Sequence, residues 1–285
     1  MTSHDVVAHA RRVLGERRIG HAGTLDPDAT GVLVLGVGRA TRLLRFATAL
    51  PKSYEGEVVF GVATSTLDAS GEVTATFEMT GLDLDVVSRA AQSFIGSIEQ
   101  MPPMVSAVKI GGRRLHEIAR EGIEVERALR PVEVFRFEVA TTKDPMVYSL
   151  AVDCSSGTYV RVLAAELGAA LGGGAHLRHL RRTAVGQFKL GESVALDALD
   201  KSALRPAKEL VSHLAQTTVD DDIAAAVSHG RALERRQLGV SGDGPWAVAG
   251  ESDDLLAVYA QTTVERLKPL VVVADASRRS GAPRR

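Results

Sequence analysis

The sequence predicts an α+β protein in two parts. Three observations carry that reading. Helix-spaced apolar residues at 3–14, 84–95 and 160–171 are interspersed with strand-like runs rather than alternating regularly with them. Two of those runs, 131–142 and 147–155, are joined by the short turn Lys143-Asp144-Pro145, and no parallel βαβ series follows the first strand pattern. From Leu214 the composition shifts to short strand candidates separated by glycines.

The chain has 285 residues, room for one large domain or for one large and one small. Hydrophobic residues make up 45% and charged residues 24%, an ordinary globular balance. No apolar run is long enough to span a membrane, and no basic-then-apolar leader opens the chain. Cys154 is the single cysteine, which excludes an internal disulfide and shows no metal-ligand spacing. It is read as a buried, inert thiol. A cytoplasmic protein is expected. The net charge of −1 does not announce a nucleic-acid partner, but the charge is uneven. Residues 1–52 carry eight Lys/Arg against four Asp/Glu, and 156–190 carry five against one. Residues 217–275 reverse the balance, with ten acids and five bases. The basic clusters suit either a phosphate-binding face or plain solvated surface.

In chain order, Val6, Val7, Ala10, Val13 and Leu14 recur at helical spacing. Thr2 or Ser3 can cap that helix and Gly15 can end it. The string Gly20-His21-Ala22-Gly23-Thr24-Leu25-Asp26-Pro27-Asp28-Ala29-Thr30-Gly31 follows. Its glycines supply backbone angles that other residues avoid. Pro27 pushes Asp26 out of helical geometry, so Asp26 is expected extended in a shaped loop, its carboxylate held by the loop backbone. An ordinary turn, with Asp26 and Asp28 bonded to nearby amides, uses the same residues.

This string resembles the catalytic loop of the TruB family of tRNA pseudouridine synthases, close to G-H-x-G-x-L-D-P-x-A-T-G. Gly20, His21, Gly23, Leu25, Asp26, Pro27, Ala29, Thr30 and Gly31 match it. The resemblance implies that Asp26 is the catalytic aspartate. It implies a mixed, mainly antiparallel sheet with flanking helices, the pseudouridine synthase fold. It further implies a tRNA partner bound at its T stem-loop, with no cofactor and no metal. Family members begin earlier, with a strand and a Lys-Pro-x-Gly turn, so the first strand is expected to be missing here.

Val32–Leu35 reads as a buried strand and 38–50 as a glycine-led helix. Gly36 and Gly38 suggest a dinucleotide site, but Thr41 stands where the third glycine belongs, which disfavours it. Residues 53–63 read as a strand carrying Tyr54. That tyrosine can pack in the core. The family pattern instead stacks it on the target base, a sound use of an aromatic ring. Thr64-Ser65-Thr66-Leu67-Asp68-Ala69-Ser70-Gly71 resembles the family's T-x-T-x-D-x-x-G turn and is by itself a polar hairpin loop.

A helix is expected over 84–95. Gln100-Met101-Pro102-Pro103 and Ser106-Ala107-Val108-Lys109 then resemble the family's Q-x-P-P-x-x-S-A-x-K, which marks Lys109 as an RNA contact. Arg113, Arg114 and Arg120 are read as helical partners of Glu117 and Glu121 rather than as phosphate contacts.

Cys154-Ser155-Ser156-Gly157-Thr158-Tyr159-Val160-Arg161 is the second strong match, to C-S-x-G-T-Y-I-R, and leads into a helix. An arginine at a helix start opposes the dipole and needs an acid. Asp26 is the candidate, and the pair would keep it ionised and aimed. Gly172–Thr183 resembles G-x-G-A-x-L-x-x-L-R-R. There Leu180 is expected to wall the pocket, and Arg181 and Arg182 to contact RNA. Tyr159 and His21 complete the supporting set, His21 bracing the space that an extruded base vacates.

The expected division is a catalytic domain at 1–213, a small β-barrel-like PUA-type domain at 214–275 and a basic disordered tail at 276–285. The implied activity isomerises uridine 55 of the tRNA T arm, in a monomer. The carboxylate attacks C1′ or removes a C2′ proton, and the sequence leaves both routes open. The alternative is a tRNA-binding or tRNA-folding protein without turnover.

Overall fold

The computed structural model describes residues 1–106, 109–110, 113–114, 121, 123 and 125–274. Helix α1 (Ser3–Leu14) stops at Gly15, whose φ of +66° suits a residue without a Cβ. Strands β1 (Ile19–His21), β2 (Thr30–Gly31) and β3 (Leu35–Val37) follow, then a 3-10 turn and α2 (Leu44–Ala49). Next come β4 (Lys52–Phe60), β5 (Val62–Thr64) and β6 (Val73–Thr76). Helix α3 (Leu84–Gln92) starts where the Asp83 carboxylate accepts from the Val86 N–H. Strands β7 (Gly96–Gln100), β8 (Lys109–Ile110), β9 (Arg113–Arg114), β10 (Arg130–Thr141) and β11 (Val147–Cys154) precede α4 (Val160–Ala170). Strands β12 (Ala175–Val185), β13 (Phe188–Lys189) and β14 (Ala215–Val219) are followed by α5 (Asp221–Ser228). The chain continues with β15 (Leu233–Glu234), α6 (Arg235–Leu238), β16 (Trp246–Gly250), β17 (Leu255–Gln261) and β18 (Arg266–Val272).

The chain folds as two compact units. The first gathers Met1–Ser3, Gly23–Val34 and Ala49–Ser193. Its seven-stranded sheet runs β13-β12-β4-β11-β10-β7, with β2 lying parallel against β12 and every other pairing antiparallel. Alternation puts Tyr54, Val58 and Phe60 of β4 on the same face as Tyr148, Leu150, Val152 and Cys154 of β11. Helices α3 and α4 cover that face through Val87, Ala91, Leu163, Ala164 and Leu167. Each large apolar side chain buried there contributes about 1.5–3 kcal/mol. Gly168 lets α4 approach the sheet, since a Cβ there would stand 2.5 Å from the Ala175 nitrogen. The opposite face carries an open groove of about 490 Å³ lined by Glu55, Glu57, Glu138 and Arg181 among others.

The second unit holds His4–Ala22, Leu35–Thr48 and the chain from Val194 onward. Its sheet runs β14-β16-β17-β18-β15, with β14 parallel to β16 and the other pairs antiparallel. Trp246, Val248, Leu256, Tyr259 and Leu267 pack with Ala224 and Val227 of α5. The two polar tips in this core are satisfied: Tyr259 Oη donates to Arg231 O at 2.7 Å and Trp246 Nε1 to Ser241 O at 3.0 Å. Burial pushes the Tyr259 phenol up to about 12. Strands β1 and β3 pair in this unit, and Val7, Ala10 and Leu14 of α1 pack on Ile19.

The α+β class and the mainly antiparallel sheet are as expected. Three local readings change. The run Val32–Leu35 is not one strand: β2 ends at Gly31 and joins β12, while β3 begins at Leu35 and joins β1. Gly172–Thr183, read as a motif without an element, contains the start of the long strand β12. Arg113 lies on β9 and meets Glu121 from a strand, not at helical spacing. Arg120, Glu117 and residues 276–285 lie outside the described residues.

Candidate active site

Asp26 sits in the loop between Gly23 and Gly31, both at positive φ (+91° and +100°). Its carbonyl accepts from the Ala29 N–H at 3.0 Å, closing a turn around Pro27. Ser3 serves this loop, its Oγ accepting from the Leu25 N–H at 3.0 Å. The carboxylate is not held by the loop backbone, as the sequence suggested. It is held from across the unit by Arg161, whose Nη2 donates to Asp26 Oδ1 at 3.2 Å.

Arg161 is the second residue of α4 and its side chain is 4% exposed. A cation there opposes the helix dipole and loses its water. Two carboxylates compensate: Asp26, and Asp68 with Oδ2 3.4 Å from Nη1. Nη2 also donates to Val105 O at 2.7 Å. The buried Arg161 Nε finds no hydrogen-bond partner among the described residues. The Asp26 side chain is 42% exposed, so its carboxylate can be reached from solvent while the guanidinium behind it cannot. Burial is the largest influence on Asp26 and raises its pKa; attraction to Arg161 opposes this, and repulsion from Asp68 adds to it. The ion pair therefore aims the carboxylate without lowering its pKa overall.

Asp68 is a site residue that the sequence reading misses, since by itself its stretch is only a polar hairpin loop. That loop is a built support. Thr66 Oγ1 and Ser70 Oγ donate to Asp68 Oδ1 at 2.5 and 2.6 Å, and the Ser70 N–H donates at 3.1 Å. Leu67 and Ala69 bond to both sides of Leu177 on β12. One carboxylate oxygen is thus spent on its own loop and the other on Arg161. The T-x-T-x-D spacing was the available signal.

Gln100, at the end of β7 and 1% exposed, is a second support. Its Oε1 accepts from the Tyr159 N–H at 3.0 Å and its Nε2 donates to Tyr159 O at 3.4 Å. Tyr159 precedes α4, and the Arg161 guanidinium lies 6.0 Å from its ring centroid. Gln100 thereby fixes the entry of the helix that carries Arg161.

Tyr54 lies on β4 and packs against the core cluster, while also feeling Asp26 and Arg182 electrostatically. Burial raises its pKa. Leu180 packs against the same cluster. It reaches there because β12 slips register against β4 between Arg178 and Arg181, where His179 takes φ +55°. His21 lies on β1 in the second unit, opposite Leu35, its ring 5.8 Å from that of His4. The side chain of Lys109 lies outside the described residues.

The arginine pair divides. Arg181 is exposed; Arg182 is 1% exposed. Arg182 Nε donates to Val32 O at 2.8 Å and Nη2 to Gly23 O at 3.2 Å. The expectation that Arg182 contacts RNA is corrected: its guanidinium faces protein carbonyls and offers no face to a phosphate. Beside it Lys52 is buried, with Nζ donating to Leu50 O at 2.7 Å. Burial, with repulsion from Arg182, lowers its pKa to about 8.

A half-open carboxylate braced by a buried arginine, with an aromatic ring nearby, can act on an electrophilic carbon or on a proton. Among the described residues no cluster of His, Cys, Asp and Glu could hold a metal ion, and no helix is long and apolar enough to cross a membrane.

Residues 11–160 match the TruB family pseudouridylate synthase N-terminal domain, and 161–218 match the tRNA pseudouridylate synthase B C-terminal domain. The chain is 45% identical over 283 residues to the tRNA pseudouridine synthase B of Mycobacterium sp. (strain KMS), covering 97% of this chain and 94% of that protein. It is 46% identical over 268 residues to the Nocardia farcinica (strain IFM 10152) protein of the same name, covering 93% and 83%. Among solved structures it resembles a chain of a Cbf5-Nop10-Gar1 complex, with TM-score 0.76, 26% identity, and coverage of 98% of this chain and 83% of that one. These matches, taken with the fold and the loop that carries Asp26, place the chain in the TruB family of pseudouridylate synthases.

Proposed function

We propose that this chain isomerises uridine to pseudouridine in the T arm of tRNA, at position 55, with Asp26 as the catalytic carboxylate. The single observation that carries the reading is the half-exposed Asp26 carboxylate held by the buried Arg161. The relatives named tRNA pseudouridine synthase B support the reaction and the substrate class.

The reaction breaks the bond between C1′ and N1, turns the uracil and forms a bond between C1′ and C5. The C5 proton is lost and N1 gains one, so no oxidant or reductant is consumed. Asp26 attacks C1′ or removes the C2′ proton, and both routes need it ionised. Arg161 holds one Asp26 oxygen and leaves the exposed side of the carboxylate toward substrate. A base in a folded loop must be extruded first. Tyr54 stacks on it, Leu180 walls the site, and His21 braces the space left behind. Arg181 contacts RNA, as does Lys109.

The catalytic role is assigned to 1–213 and a PUA-like RNA-binding role to 214–275. The protein acts as a cytoplasmic monomer without metal or cofactor. The test is tritium release from T-arm RNA labelled at uracil C5. Release by the wild type and none by Asp26→Asn is expected. Equal release by both would remove Asp26 from the chemistry. Binding by both without any release would make the chain an RNA-binding protein without turnover.

A further inference from the structure

We propose that Arg182 is a positioning residue, which ties both flanks of the Asp26 loop to the central strand β12, opposite Tyr54. The proposal rests on Asp26 being the catalytic group.

The loop that carries Asp26 is flanked by Gly23 and Val32, and Arg182 holds both points. Nη2 donates to Gly23 O at 3.2 Å, three residues before Asp26. Nε donates to Val32 O at 2.8 Å, six residues after it. The backbone of the same residue closes the return, with the Val32 N–H donating to Arg182 O at 2.8 Å. Gly31 faces this contact so closely that a Cβ would stand 2.1 Å from Arg182 O. On the neighbouring strand, Arg182 pairs in register with Tyr54, which places the two side chains on the same face of the sheet. One buried side chain therefore holds the two backbone flanks of the carboxylate's loop and stands on the strand position opposite the ring expected to hold the base.

The chemistry explains why an arginine stands here. A guanidinium presents donors in a rigid planar fork, which suits carbonyls that converge from different segments. A lysine carries the same charge on a single nitrogen and cannot reach the same partners together. Lys52, a buried cation that Arg182 repels, is bonded to Leu50 O. Two register shifts in β12, one on each side of Arg182, turn it inward while its neighbour Arg181 faces out opposite Glu55. The arrangement sets the distance and angle between Asp26 and Tyr54, and an error of about 1 Å in such a geometry costs on the order of 100-fold in rate.

The experiment uses the full chain and compares Arg182→Lys and Arg182→Ala with the wild type on T-arm RNA. For both variants kcat is expected to fall about 100-fold, with RNA affinity within about two-fold of wild type. Added methylguanidinium should restore part of the Arg182→Ala rate and none of the Arg182→Lys rate. Hydrogen exchange should speed up at 23–32 in Arg182→Lys and stay unchanged in β10 and β11. Loss of RNA affinity with kcat preserved would overturn the proposal and return Arg182 to an RNA contact. Unchanged exchange at 23–32 would overturn it as well. Should Arg182→Ala fail to fold, the exchange map and the kcat-to-affinity split of Arg182→Lys decide the matter. Turnover by Asp26→Asn would overturn the catalytic reading of Asp26 alone, because faster loop exchange in Arg182→Lys would still support the tie.

Discussion

The two sheets bury different things. Among the described residues, the unit of the seven-stranded sheet buries three cationic side chains, Lys52, Arg161 and Arg182, each 6% exposed or less. Beneath the five-stranded sheet the described residues bury no charged side chain; its one buried polar residue, Ser228, bonds to Ala224 O. A buried charge costs several kcal/mol unless partners offset the loss of water. The second core avoids that cost with Trp246, Tyr259 and aliphatic residues. The first accepts it three times, around one loop. Stability alone does not call for three buried charges around one loop.

The largest effect should come from Asp26→Asn, which removes turnover entirely while leaving the melting temperature unchanged or raised. The sign follows from linkage. Asp26 has a raised pKa in the folded state, so the fold binds its proton more readily than the unfolded chain does. Stability from this group therefore falls as pH rises from the unfolded value through the folded one, and the ionised form at neutral pH is a burden. Turnover should show the opposite trend and fail on acidification above the ordinary aspartate range. A marked drop in melting temperature for Asp26→Asn would break the contrast between the two cores.

Next in size is Trp246→Ala. It should cost about 3–5 kcal/mol, because it empties an aromatic site and removes the ring beneath Arg235, 5.1 Å from its centroid. Chemical denaturation measures the loss, and the pH dependence of stability should keep its shape, since no buried charge is touched.

Arg161→Met should cost about 1–3 kcal/mol by leaving Asp26 and Asp68 without their shared donor. It should also lower kcat about 100-fold through a misaimed carboxylate. The acid limb of the pH–rate profile should move to higher pH, because the one nearby group that most favours ionised Asp26 is gone. An unmoved limb would mean that burial alone governs Asp26.

The smallest effect should be that of Lys52→Met, seen as a change of slope. Burial lowers the Lys52 pKa to about 8 from the ordinary lysine value of 10.5, so between those values the unfolded chain binds more protons and stability rises with pH. That rise should disappear in Lys52→Met. Its survival would place the titrating group elsewhere.

Much of the site was legible along the chain. The Asp26 loop and the Tyr159–Arg161 stretch are contiguous strings whose glycines, proline and charge demand particular backbones and partners, so local chemistry announces them. The helices at α1, α3 and α4 and the hairpin of β10 and β11 follow from periodicity and turn residues for the same reason. Strand β12 escaped because Arg178, His179, Arg181 and Arg182 mask its alternation, and the register shift after Arg178 breaks the period that a strand should show.

The sequence by itself determined the fold class, the loop that carries the carboxylate and the pairing of Asp26 with Arg161, since each depends on neighbours along the chain or on a charge that needs an opposite. Only the tertiary structure decided that Asp68 shares that arginine, that Gln100 sets the helix entry, and that Arg181 faces out while Arg182 turns in. Those outcomes depend on which strand lies beside which, and on how a bulge redirects a side chain. Burial, not residue type, makes one arginine a surface charge and the next a structural tie.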